Sequence, residues 1–321
     1  MLNSKRRLLT PPRDGSRLPK KLDCLGLGIA PADLLLQIAA YPEAGAKIDA
    51  LSMTIQGGGP IPTAMVTLAR LGMKPGLMAA VGDDIFGRFV IEELEREAVD
   101  TSFIIVKRNP TALALGWVEK GSGRRTIVLN REITVQPRDL NLRLVPRVKA
   151  VHLDGRDLPA CLKLARWAKR NGAIVVFDIG SKRNDVTAIL PLVDHLVCAE
   201  DFAFPYTGAK KVPETICRLR KICPGTIVIT SGIEGAIGKE TDGDFIRQKA
   251  FKVKAVDTTG AGDVYHGAYI YGLLKGWNLK KRMEFASAAA ALKCRRPGGR
   301  LGIPTLKEVQ TFLMRRNPTY A

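Results

Sequence analysis

Long apolar runs are missing from this chain of 321 residues. None approaches the ~18–20 consecutive apolar residues that cross a bilayer, so no membrane span and no membrane partner is expected. The basic N-terminus (Lys5, Arg6, Arg7, Arg13, Arg17, Lys20, Lys21) has no apolar segment behind it, which argues against a secretory signal. Residues 1–21, with Pro11-Pro12, read as a flexible basic tail. No two of the six cysteines (Cys24, Cys161, Cys198, Cys217, Cys223, Cys294) form a C-x-x-C pair, and their contexts are largely apolar. A zinc site and a disulfide frame are thereby excluded, and reduced, buried thiols of a cytoplasmic protein are expected. Beyond the tail there is no internal repeat and no low-complexity segment.

Acidic residues are also scarce: 31 Asp and Glu face 50 Lys and Arg, a formal net charge of +19. That excess could serve nucleic acid. However, the cations are scattered through 138–149, 163–170, 210–221 and 275–300, with no aromatic interleaving and no nucleic-acid motif. A basic surface that attracts anions in general, ATP included, is the reading it supports, and no nucleic-acid partner is expected.

What is present is an ordinary globular composition, 46% hydrophobic and 25% charged, in a chain long enough for one large α/β domain over residues 22–321. Short apolar runs at 23–30, 76–81, 103–106, 151–153, 174–178, 195–198 and 226–230 read as strands. Amphipathic segments at 63–71, 85–98 and 159–171 lie between several of them. Continuous apolar strands separated by helices predict a doubly wound, mostly parallel sheet with helices on both faces. Two stretches break the rhythm. Residues 47–56 and 112–130 have strand character without intervening helices, and Gly121-Ser122-Gly123 reads as a hairpin turn. With 33–38 they predict a small antiparallel sheet, either a lid that excludes water from a reaction site or edge hairpins of the main sheet.

The densest chemistry is in AVDTTGAGDVYHG, residues 255–267. A Gly-Ala-Gly turn (Gly260, Ala261, Gly262) opening a helix leaves backbone N–H groups uncovered, at the positive end of the helix dipole, where phosphate oxygens can bind. A carboxylate there repels a phosphoryl group but can accept a proton from an attacking hydroxyl, so Asp263 reads as a base beside an anion hole. The alternative is a plain turn whose Asp caps a helix. Gly57-Gly58-Gly59, before a helix starting near Pro60, either lets the backbone approach a ligand or forms a hinge. Neither nucleotide motif of the common kind is present. Gly238-Lys239 is followed by Glu240, so there is no Walker A loop, and Gly26-x-Gly28 runs into Ala30-Pro31, so there is no dinucleotide fingerprint.

The full D-T-T-G-A-G-D string resembles the C-terminal signature of the ribokinase-like (PfkB-type) carbohydrate kinases. The run VTLARLG…VGDDIFG from Val66 resembles the N-terminal signature of the same family, in the same order. The resemblance covers the chain from about Leu22. It implies a Rossmann-like domain with a β-sheet lid, ATP as donor, Mg²⁺, and a sugar hydroxyl as acceptor. It further implies that Asp33 and the glycines 57–59 bind the acceptor, and that Thr230, Gly232 and Gly235 (a T-x-G-x-x-G segment), with Thr258, Gly260 and Gly262, bind the nucleotide. A K⁺ ion near Asp257 and the 298–300 loop is allowed by the same resemblance, as is a homodimer through the lid. The family's N-x-x-E element falls at 199–202, where Ala199 and Phe202 replace its key residues; Glu200 or Asp201 stands beside them, and the metal ligands are left unassigned. The stretch 285–304 looks most like the ketohexokinase and sulfofructose kinase branch, which makes a fructose-like ketose, neutral or anionic, the expected acceptor. A nucleoside or a 2-keto-3-deoxy-sugar acid is the alternative, and a non-catalytic binding protein on a kinase scaffold the rival from another class. Lys47 and Arg131, on the two lid stretches, are cations that either face an anionic group of the acceptor or are solvated.

Overall fold

The structure, a computed structural model, describes residues 21–121, 124–181 and 185–316; the basic tail and part of the 121–123 turn lie outside the described residues. The strands are β1 (Cys24–Leu27), β2 (Ala32–Ile38), β3 (Ser52–Gly57), β4 (Pro75–Gly82), β5 (Ile104–Lys107), β6 (Leu113–Glu119), β7 (Arg125–Asn130), β8 (Ala150–Leu153), β9 (Ile174–Ile179), β10 (His195–Ala199), β11 (Thr226–Thr230), β12 (Ala236–Lys239) and β13 (Ile246–Gln248). The helices are α1 (Pro60–Arg70), α2 (Ile85–Arg96), α3 (Leu158–Arg170), α4 (Glu200–Thr207), α5 (Val212–Leu219), α6 (Ala261–Leu274), α7 (Leu279–Lys293) and α8 (Leu306–Met314).

Nine strands form the main sheet in the order β13-β12-β11-β10-β9-β8-β1-β4-β5. The seven from β11 to β5 are parallel; β12 runs against them, and β13, antiparallel to β12, returns to their direction. Strands β1, β4 and β8 are buried along their whole length, as expected for a sheet covered on both faces. One apolar layer packs α1, α6, α7 and α8 on one face through Met65, Leu68, Tyr269 and Phe285. The other packs α3, α4 and α5 through Leu164, Phe202, Ile216 and Leu219. Truncating one of these large buried side chains to Ala costs ~2–5 kcal/mol. The chain winds from β1 outward to β4 and β5, then returns to β8 and winds the other way. The reversal between β1 and β8 opens a crevice at their carboxyl ends, the usual ligand position in an open α/β sheet.

The second sheet has the order β3-β2-β6-β7. It is mixed, not antiparallel as expected, because β2 and β6 both leave the main body outward and lie side by side in parallel, whereas β3 and β7 return. The strand expected from Lys47 begins only at Ser52, and residues 47–51 are exposed. Among the cysteines, Cys217 is exposed and Cys294 intermediate, while the other four are buried; all six are free. No helix among the described residues is long and apolar enough to cross a membrane.

Candidate active site

A cavity of about 750 Å³ lies between the second sheet and the carboxyl ends of β1, β8 and β9. Asp33, Ala114, Arg125 and Arg131 line it from the lid, and Asp154, Arg156, Asp178 and residues 258–263 from the body.

The turn at 257–263 is built by one carboxylate. Asp257 Oδ1 accepts from the Thr259 amide at 2.7 Å, and Oδ2 from the Gly298 amide at 2.8 Å. Burial acts to raise the Asp257 carboxyl, but these amides and the Lys293 charge outweigh it and hold the group below its ordinary value. Gly260 sits at φ 74°, a left-handed conformation that favours glycine, and α6 starts at the next residue. The Ala261 amide turns back to the Thr258 carbonyl at 3.1 Å; those of Gly262 and Asp263 belong to a first helical turn, which has no intrahelical acceptor. A Cβ built on Gly262 meets nothing within 4 Å. The N-terminus of α6 thus presents bare backbone to open cavity.

Asp263 lies half-buried beside it. Burial raises its carboxyl, opposed by the charges of His266, Arg125, Lys293 and Arg300. His266, one turn on, has Nδ1 2.6 Å from the Gly262 carbonyl and Nε2 3.3 Å from Asp178 Oδ1. Asp178 is pushed up to about 7 by burial, against the charge of His266 and reinforced by those of Asp263 and Asp154. From the lid, Arg125 donates to the Thr258 hydroxyl at 3.3 Å.

Asp33 is also pushed up to about 7, by burial against the charge of Arg300, with Asp263 and Glu93 reinforcing it. Gly58 owes its missing side chain to this carboxylate: a Cβ there would stand 1.8 Å from Asp33 Oδ1. At Gly57 a Cβ would stand 2.1 Å from Arg300 Nη1, and Gly59, at φ 90°, packs on the Ile29 carbonyl. Arg300 is 1% exposed, donates to the Gly58 carbonyl at 2.7 Å and pairs with Glu93 at 3.3 Å. Of the three glycines only Gly59 lines the cavity; Gly57 and Gly58 make room for side chains that do or that brace it.

Arg131 reaches the cavity paired with Asp157, while Lys47 lies in the exposed stretch before β3, away from the lining. Thr230, Gly232 and Gly235 end β11 and turn into β12, outside the lining. Glu200 and Asp201 start α4 and also stay outside it, and Phe202 is fully buried. Sequence reasoning missed Asp154, Asp178, Arg125, Arg156, His266 and Arg300. Asp154 and Asp178 carried a usable signal: each is a carboxylate at the carboxyl edge of an apolar parallel strand, facing the switch-point crevice.

Bare helix-terminal amides beside a carboxylate, under a lid rich in cations, make a site for moving a phosphoryl group between small molecules. The pfkB family carbohydrate kinases match residues 23–306, and the chain belongs to that family: it is an ATP-dependent sugar kinase. A 5-dehydro-2-deoxygluconokinase from Clostridium perfringens is 30% identical over 289 residues, covering 82% of this chain and 85% of its own length. The ribokinase from Thermotoga maritima superimposes with a TM-score of 0.80 at 25% identity, over 91% of this chain and 99% of that one. The Arabidopsis thaliana ribokinase complexed with ribose and ATP shares the fold, with a TM-score of 0.79 at 22% identity over the same shares of each chain.

Proposed function

We propose that the chain phosphorylates a keto-sugar acid, of the kind named by its 5-dehydro-2-deoxygluconokinase relative, and not the fructose-like ketose first expected. The observation that carries this reading is the trio of Arg125, Arg131 and Arg156 around the acceptor space. Arg131 is already paired with Asp157, and Arg156 stands 3.9 Å from Asp154. Arg125 has no carboxylate partner among the described residues and is the cation best placed for a carboxylate brought in by the acceptor.

In this reading Asp33 holds acceptor hydroxyls and Asp263 takes the proton of the attacking one. The amides of Gly260 and Gly262 face the transferring phosphoryl group, that of Ala261 being held by the Thr258 carbonyl, and the lid keeps water away. ATP would lie along Thr258 and the α6 terminus toward the Thr230–Gly235 turn. No group of three or more His, Cys, Asp or Glu among the described residues could hold a resident metal. The donor set suits Mg²⁺ that arrives on the ATP phosphates and takes one or two carboxylates from the cavity, where it would neutralise phosphate charge.

The K⁺ ion has a substitute in the chain. Lys293 is fully buried, and its ammonium donates to the Asp257 carbonyl at 2.9 Å, a fixed monovalent cation under the turn. Turnover should therefore not depend on K⁺, and a clear rise in wild-type kcat on adding K⁺ to a K⁺-free assay would refute this. On the outer lid face Ile55, Leu34, Leu115 and Val128 pair in one row across the four strands, and Ile55, Leu115 and Val128 are exposed. A second copy covering this row supports a homodimer; light scattering that gives the same monomer mass for wild type and Val128→Glu would dismiss it. Free, mostly buried thiols suit a cytoplasmic setting, which fractionation would check.

ATP consumption across 5-dehydro-2-deoxygluconate, 2-keto-3-deoxygluconate, fructose, ribose and nucleosides tests the assignment. The sugar acids should exceed fructose by ~10-fold or more in kcat/KM, the worth of one charge-assisted contact. Equal or better use of fructose would overturn it.

A further inference from the structure

A second cavity, also of about 750 Å³, shares no lining residue with the first. It lies between the end of α7, the segment after β13, and α8. Seven Lys and Arg side chains line it against a single carboxylate, Glu308. That carboxylate is already taken: it pairs with Arg296 at 2.8 Å and closes the α8 capping box with Thr305. Arg316 lies 3.7 Å over the Phe312 ring. Lys252, Lys254, Arg295, Lys307 and Arg315 have no carboxylate partner among the described residues. All five are exposed, and together they give one concave space a concentrated positive potential that attracts multiply charged anions above singly charged ones. The volume falls within the range of small-molecule pockets, and the Thr311 hydroxyl and the Phe312 edge add a donor and an apolar wall.

We propose that this cavity binds a small molecule carrying at least two phosphate groups, at a site separate from the catalytic one. The segment between Arg295 and Pro304 connects the two. Its ends line the cationic cavity, and its middle reaches the active site. Gly298 donates to Asp257, Gly299 packs against Gly260, and Arg300 holds the Gly58 carbonyl beside Asp33. A ligand that draws Arg295 and Arg296 inward therefore acts on the segment that braces both the phosphate turn and the acceptor carboxylate.

Inorganic pyrophosphate is the probe, titrated calorimetrically at about 150 mM KCl. Wild type should bind it, and Lys307→Gln/Arg315→Gln should lose one binding equivalent or weaken it at least ~10-fold. Lys252→Gln/Lys254→Gln, on the opposite wall, should show the same loss, which separates charge from any local effect on α8. The exposed pair Lys120→Gln/Lys210→Gln, outside the cavity, should bind like wild type. Superimposable titrations of wild type and both cavity variants would overturn the proposal, as would an equal loss in the outside pair. Pyrophosphate binding that vanishes at this salt while duplex DNA still binds would assign the patch to nucleic acid and overturn it too.

Discussion

The Arg125 guanidinium, at the start of the outermost lid strand, donates to the Thr258 hydroxyl at 3.3 Å across 133 residues of sequence. The lid thereby touches the turn at 257–263 itself, and the same cation opposes the burial that raises Asp263. Arg125→Ala should lower kcat/KM for the acceptor ~10-fold or more. Its second effect has a defined sign. With one cation fewer, the Asp263 carboxyl rises further, so the acid limb of the pH–rate profile moves to higher pH. An unchanged limb would separate Arg125 from the base.

Asp263→Asn keeps size and polarity and removes proton acceptance. A kcat lower by ~10²–10⁴, with ATP binding nearly unaltered, is expected from steady-state kinetics and equilibrium titration. Near-normal turnover would return Asp263 to the role of a helix-capping residue.

Gly262→Ala distinguishes a phosphate site from a structural turn. The added methyl meets open space, and Ala within a helix is favoured over Gly by ~0.5–1 kcal/mol. Thermal melting should show equal or higher stability, while kcat drops because the methyl enters the space of phosphate oxygens. Unimpaired activity would mean that nothing approaches this backbone during turnover.

Asp33 provides a pH test on stability. Its folded carboxyl is pushed up to about 7 from an ordinary 3.8, so between those values the folded chain holds a proton that the unfolded chain releases. Stability from this group is therefore lost as pH rises from about 4 to about 7. Asp33→Asn cannot ionise and escapes the loss. Its melting temperature should gain on wild type across that window and then level, by ~1–2 °C for each kcal/mol. A constant difference from about pH 4 to pH 8 would refute the raised carboxyl.

The parallel body and the turn at 260–263 were legible in the sequence because each is local: apolar strands of buried length, and glycines beside a helix start. The mixed lid was not, since the pairing of β2 with β6 joins segments some eighty residues apart and depends on both leaving the body on the same side. Arg300 and Lys293 lie in a stretch rich in cations, and nothing local marks either as buried. Only the fold reveals them as buried, one holding the Gly58 carbonyl and the other the Asp257 carbonyl. Lys47 shows the opposite error, a cation placed on a strand that starts five residues later.

The register of the lid sheet decides how it can move. Gly57, Ala32, Leu113 and Asn130 stand opposite one another, and at that row all four strands join the body. A sheet attached along one edge behaves as a door on a straight hinge. Asp33 lies one residue beyond the row, close to the pintle, and would keep its place in a swing of the door. Arg125 lies five residues out along β7, a lever of about 16 Å, and makes the largest excursion. If Asp33 holds the acceptor as proposed, the grip lies on the hinge side, and the latch, Arg125 on Thr258, would close only at the end of a swing.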